Sequence, residues 1–178
     1  LGAVQVDTCE EGTPVTEICD DGIDNDCDGT TDCDDPGCDA VPVACVVYHC
    51  VSTSAEFQAA LNAAKQNDKH DVIMLEQGIY GISGNNNAFF WYSTSQPWDL
   101  IIEGGYLPGC MERVIDSSAT VLDGEGIRQG SSAGVLHIND GGSSADHEIV
   151  VDGITIQNGN SPYYGGVYAY SSHGELTL

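Results

Sequence analysis

The sequence predicts a mainly β chain, a parallel β-helix or another solenoid, with one α-helix ahead of the strands and a small disulfide-rich module ahead of the helix. Three observations carry this. Helical periodicity occurs in a single stretch. Short units of an apolar run, an acid and a glycine recur through the rest of the chain. Acids and cysteines crowd the first 50 of the 178 residues.

The N-terminal module comes first. Residues 1 to 40 hold thirteen acids and no base, and the first base is Lys65. The shift ends at the apolar run "AVPVACVVY", so the chain is divided into a module over 1–40, a linker or first strand over 41–52, and a body over 53–178. The whole chain has 28 acids against 4 Lys and Arg and a formal net charge of −24. Phosphate neutralisation needs clustered cations, so nucleic acid is excluded as a partner, and an anionic membrane surface is disfavoured. No apolar run approaches the ~20 residues of a membrane helix. The eight cysteines (Cys9, Cys19, Cys27, Cys33, Cys38, Cys45, Cys50 and Cys110) fit a disulfide framework in an oxidising compartment, which predicts an extracellular or cell-surface protein.

Within the module, "DNDCDGTTDCDD" places Asp24, Asp26 and Asp28 at alternate positions, then Gly29, with Asp32 and Asp35 at the ninth and twelfth positions. This is the spacing of a twelve-residue calcium loop, in which the Thr30 carbonyl is the backbone ligand. Converging carboxylates repel by roughly 1 kcal/mol per pair in water and about 4 at an effective dielectric of 20, and a divalent cation reverses that sum. One Ca²⁺ is expected, with affinity in the weak ~10⁻⁴ to 10⁻³ M range because Asp35 replaces a longer Glu. A second, using Asp20, Asp21, Asp34 or Asp39, is left unassigned. Two alternatives compete: a solvated acidic linker, and zinc on Cys33, Cys38, Cys45 and Cys50. No amphipathic helix flanks the loop, so disulfides must brace it.

The body opens with "TSAEFQAALNAAKQND". Thr53 and Glu56 have capping-box spacing, and Phe57, Ala60, Leu61 and Ala64 fall on one helical face. Beyond it lie "DVIML", "AFFWY", "DLIIEGG", "TVLDG", "GVLHIND", "EIVVDGITIQNG", "GGVYAY" and "GELTL". These short runs recur at roughly 20 to 30 residues, about one solenoid coil per unit.

Two resemblances extend this. The "C-x-DGIDNDCDG-x-x-DC" stretch, within Cys9 to Cys38, resembles the aspartate- and cysteine-rich metal-binding motif of bacterial secreted and surface proteins, itself similar to thrombospondin type 3 calcium repeats. The series "FQAAL", "DVIMLEQGIY", "LIIEGGYLPGC-x-x-R", "TVLDGEG", "VLHIN", "VVDGITIQNG" and "GGVY" resembles the start of a right-handed parallel β-helix of the pectin-lyase-like superfamily. The resemblance implies that the helix caps the solenoid and that Cys110 ties the cap to the first coils through Cys45 or Cys50.

That superfamily includes polysaccharide lyases and glycosidases, but catalytic groups are sparse here, and the chain is read as a non-enzyme. Arg113 and Arg128 are the only Lys or Arg after Lys69, and Arg113 is expected in a structural ion pair. Asp123, Glu125, Asp152 and Glu175 sit at acid–glycine turns, and no acid motif surrounds His173. His49, His70, His137 and His147 are read as surface or satisfied residues. Tyr163, Tyr164, Tyr168, Tyr170, Trp91, Tyr92 and Trp98 offer sugar-stacking platforms or, alternatively, stacking between coils.

The chain begins at Leu1 rather than Met and stops at "GELTL" within a strand. The expectation is a fragment or processed product that either continues beyond Leu178 or is covered there by another copy. The leading functional reading is a structural calcium-binding surface protein of stalk or adhesin type that can assemble head to tail into a fibre. The alternative is a carbohydrate-binding or polysaccharide-degrading protein.

Overall fold

The computed structural model describes residues 16–19, 22–35, 38, 45–67, 69–85, 89–127, 134–141, 147–162, 165–172 and 175–178. The chain divides into two units, Leu1–Val47 and Tyr48–Leu178. The described part of the first unit has little regular structure beyond a 3₁₀ turn at Asp32–Asp34. Its buried residues, among those described, are Glu17, Asp35, Cys38 and Cys45. Disulfides join Cys19 to Cys38 and Cys33 to Cys45, and Cys27 is also disulfide-bonded.

The second unit is built on parallel strands. After β1 (Val46–Val51) comes α1 (Ser54–Ala64), whose start follows the sequence: Thr53 Oγ1 accepts the Glu56 amide at 3.2 Å while Glu56 Oε2 accepts the Thr53 amide at 3.0 Å. Phe57, Ala60, Leu61 and Ala64 form the buried face, as their spacing predicts.

The remaining strands are β2 (His70–Glu76), β3 (Gly78–Gly81), β4 (Phe90–Thr94), β5 (Leu100–Tyr106), β6 (Thr120–Asp123), β7 (Leu136–Asp140), β8 (Glu148–Asp152), β9 (Thr155–Gln157), β10 (Val167–Ser171) and β11 (Glu175–Thr177). They form three sheets, ordered β1-β2-β5-β8-β11, β4-β7-β10 and β3-β6-β9. From β2 onward each strand enters a different sheet from the one before it, in an unchanging rotation, and from β5 onward each pairs in parallel with the strand three places earlier.

Alternation decides what each strand buries. Ile73, Ile102 and Val151 share one register position of the first sheet, Tyr92, Ile138 and Ala169 one of the second, and Tyr80, Leu122 and Ile156 one of the third. All nine belong to or pack against one apolar core, which α1 joins through Phe57, 4.8 Å from Phe90 between ring centroids. The strand spacing is less even than the recurring units predict: Asp71, Leu100 and Ile149 stack in register although the second interval far exceeds the first. The segment 107–119, between β5 and β6, takes up part of the difference. Where backbones approach, only glycine fits; a Cβ on Gly104 would lie 2.4 Å from the Gly153 carbonyl oxygen.

The third disulfide joins Cys50 at β1 to Cys110 after β5, across a sequence separation of 60. Of the two partners left open for Cys110, it takes Cys50.

Candidate metal centre

The acidic loop is folded by its own side chains. Gly29 takes φ +100°, the left-handed turn that its position calls for. Asp24 Oδ2 accepts the Gly29 amide at 3.1 Å, Asp26 Oδ1 accepts the Asp28 amide at 3.2 Å, and Asp28 Oδ1 accepts both the amide and the hydroxyl of Thr30. Short-range capture of backbone amides by aspartate is what these residues do in turns. It also leaves the carboxylates of Asp24, Asp26 and Asp28 with one oxygen each inside a common 4.8 Å.

A second group shares Asp26 and adds Glu17 and Asp35, again within 4.8 Å. Glu17 and Asp35 are 6% and 5% exposed, so this group is the more enclosed. Glu17 is held in place by three backbone donors: the amides of Asn25 at 2.8 Å and Asp26 at 3.3 Å reach Oε2, and that of Asp32 reaches Oε1 at 3.2 Å. Nothing in the twelve-residue spacing points to Glu17, which precedes the loop; its role depends on a chain reversal that the sequence pattern does not disclose.

The expected ligands are therefore only partly gathered. Asp24, Asp26 and Asp28 come together, and Asp35 meets Asp26 from the enclosed side. Asp32 belongs to neither group; its Oδ1 accepts the Gly22 amide at 3.1 Å. The Thr30 amide and hydroxyl are engaged with Asp28. Asp20, Asp21 and Asp39, considered for a second ion, lie outside the described residues, as does the Asp34 side chain.

Electrostatics single out the shared residue. Partial loss of solvation, followed by the charges of Asp35, Asp28 and Glu17, raises the Asp26 carboxyl above its ordinary range, against the pull of the Asp28 amide. Asp28 is lowered by the Thr30 hydroxyl and amide. Residues 1–47 contain no Lys, Arg or His, so no side chain of this unit can neutralise these acids. An all-oxygen, all-anionic donor set of this kind fits a hard divalent cation. The zinc alternative is overturned, because Cys33, Cys38, Cys45 and Cys50 are all in disulfides and offer no thiolate. The same bond removes Cys50 and Cys110 as ligands beside Glu76, although the three lie together. Cys9 lies outside the described residues.

Four of the groups weighed for catalysis, Arg113, Asp152, Asp123 and Glu125, have side-chain partners. Arg113 donates to Glu103 at 2.9 Å and to Asp152 at 2.7 Å, the structural role expected of it. Asp123 accepts from Gln157 and Asn158, and Glu125 accepts from Ser83. His137 stacks on Tyr168 at 4.5 Å with a 22° interplanar angle, and Lys65 stands 4.7 Å from the Trp91 centroid, so neighbouring side chains lie against faces that a sugar would use. Tyr163, Tyr164, Arg128 and His173 lie outside the described residues.

Three disulfides favour an oxidising, extracellular setting, and no helix among the described residues is long and apolar enough to cross a membrane. Comparisons with protein-family models, curated proteins and solved structures returned no match, so the chain is read from its own geometry.

Proposed function

We propose that the Leu1–Val47 unit is a structural Ca²⁺-binding module of a non-catalytic, extracellular or cell-surface protein, and that the unit after it is a right-handed parallel β-helix of stalk or adhesin type. The observation that carries the metal reading is the pair of three-carboxylate groups sharing Asp26 in a unit without a single base. Calcium suits oxygen donors, tolerates irregular geometry and neutralises the repulsion that would otherwise open the loop. The rotation of successive strands through three parallel sheets supports the β-helix reading, since a solenoid coil contributes one strand to each face.

The test is calcium titration of the intact protein followed by limited proteolysis under non-reducing conditions. Millimolar Ca²⁺ is expected to protect residues 16–38, and EGTA to restore cleavage there. Asp26→Asn, which touches both groups, is expected to weaken binding at least tenfold. Unchanged cleavage with and without calcium would sink the reading.

Self-association is a second element of the proposal. Strands β9, β10 and β11 each form an outer edge of a different sheet, and Ile154, Ile156, Ala169 and Leu176 beside them are only partly buried. A second copy seated on those edges would extend all three sheets, and a contact of that kind that does not close generates a filament. Electron microscopy at high protein concentration reads this directly; uniformly monomeric particles count against it.

A further inference from the structure

Among the described residues of the second unit two aspartates are buried, Asp71 at 2% and Asp140 at 0% exposure, and neither has a described Lys or Arg within ion-pair distance. Each faces an imidazole instead. His49 Nε2 of β1 is 2.6 Å from Asp71 Oδ1 on β2, and His147 Nε2, just before β8, is 2.8 Å from Asp140 Oδ2 at the end of β7. The side chains of His147 and Asp140 are 1% and 0% exposed, so water screens that pair very little.

We infer that the His49–Asp71 and His147–Asp140 pairs form a proton-linked clasp, which holds β1 to β2 and ties the end of β7 to His147 ahead of β8 while the imidazoles are charged, and loosens both links when they become neutral. A buried carboxylate needs a positive or hydrogen-bonding partner, and breaking a buried pair from one side leaves an uncompensated charge. In most chains Lys or Arg supplies that partner at every pH. Here 4 Lys and Arg serve 28 acids, and histidine, whose charge changes near neutrality, takes the position.

Around Asp71, Asn67 Nδ2 donates to Oδ1 at 2.9 Å. Around Asp140, Ser171 of β10 donates its hydroxyl to Oδ2 at 3.0 Å. From β4, the Tyr92 phenol lies near both acids, and burial, then the charges of Asp71 and Asp140, raise it against a bond to Thr94. Asp99, ahead of β5, feels His147 and pairs with His70 at 3.0 Å. Glu148 adjoins His147 in sequence, and Glu175 of β11 donates its amide to the His147 carbonyl at 3.0 Å.

Between pH 5.5 and 8.5 ordinary carboxylates are already ionised and Lys and Arg stay charged, so the titrating groups are the five histidines and the α-amino group. The experiment is thermal melting of the full chain across that window with calcium saturating. The wild-type melting temperature is expected to fall by about 5 °C or more as pH rises. Asp140→Asn and Asp71→Asn should each remove a large part of that slope, because neutral histidine then faces no buried anion. Absence of a slope in the wild type, or an undiminished slope in both variants, overturns the clasp. If the variants do not fold, ring-nitrogen NMR of the wild type decides: His49 and His147 protonated on both nitrogens below the pH of the stability loss supports it, and rings neutral at pH 5.5 refute it.

Discussion

The two units solve the same problem with opposite means. Unit Tyr48–Leu178 removes Phe57, Ile73, Leu100, Ile102 and Leu136 completely from water. In the described part of Leu1–Val47, the buried residues are two cysteines and two carboxylates. One is held chiefly by apolar area, and the other by cross-links and charges whose balance depends on the surroundings. Reduction and metal removal should therefore act mainly on the first unit, and truncation of apolar side chains on the second.

The largest expected effect is reduction. The Cys19–Cys38 and Cys33–Cys45 bonds have sequence separations of 19 and 12, and each contributes about 3 kcal/mol by the chain-entropy estimate. Treatment with a thiol reductant should make residues 16–38 protease-sensitive while the core of the second unit stays protected; equal resistance before and after would erase the contrast. Next is Ile102→Ala, a fully buried truncation expected to cost about 3–4 kcal/mol, read as a lower melting temperature of the second unit with calcium titration unchanged. Thr53→Ala removes a cap that receives the Glu56 amide and should cost about 1 kcal/mol; no loss in a denaturant melt would show that α1 is held by packing alone.

The smallest effect is on acid stability. Burial works to raise the Asp99 carboxyl, but the hydrogen bonds from His70 and the Glu148 amide, with the charges of His70 and His147, outweigh it and leave the group lowered. A lowered folded-state value adds stability above the unfolded carboxyl range, about pH 4, that is lost as pH falls through the folded value. Asp99→Asn should therefore be closest to wild type in strong acid and most different near neutrality, as followed by melting temperature.

Features set by near neighbours were legible in the sequence. The Thr53–Glu56 capping box, the buried face of α1, the Gly29 turn and the gathering of Asp24, Asp26 and Asp28 are decided within a few residues, and spacing reveals them. Features set by register were not. His49 and Asp71 are brought together by the pairing of β1 with β2, which the neighbours of neither residue disclose. Glu17 joins the Asp26–Asp35 carboxylate group from outside the loop that spacing defines. Asp32 obeys the spacing yet is drawn to the Gly22 amide, because a nearby backbone donor competes for a carboxylate as a cation does.

The long Cys50–Cys110 bond also constrains the order in which the molecule can be made. Seven cysteines precede Cys110 in the chain, Cys50 among them, so during synthesis Cys50 meets six others before its own partner. An oxidising folding pathway must either leave Cys50 reduced until β5 has formed or reopen any earlier pairing by thiol exchange. Cys110 thus acts as a checkpoint: the Cys50–Cys110 bond closes only once the pairing of β2 with β5 has brought Cys110 back beside β1.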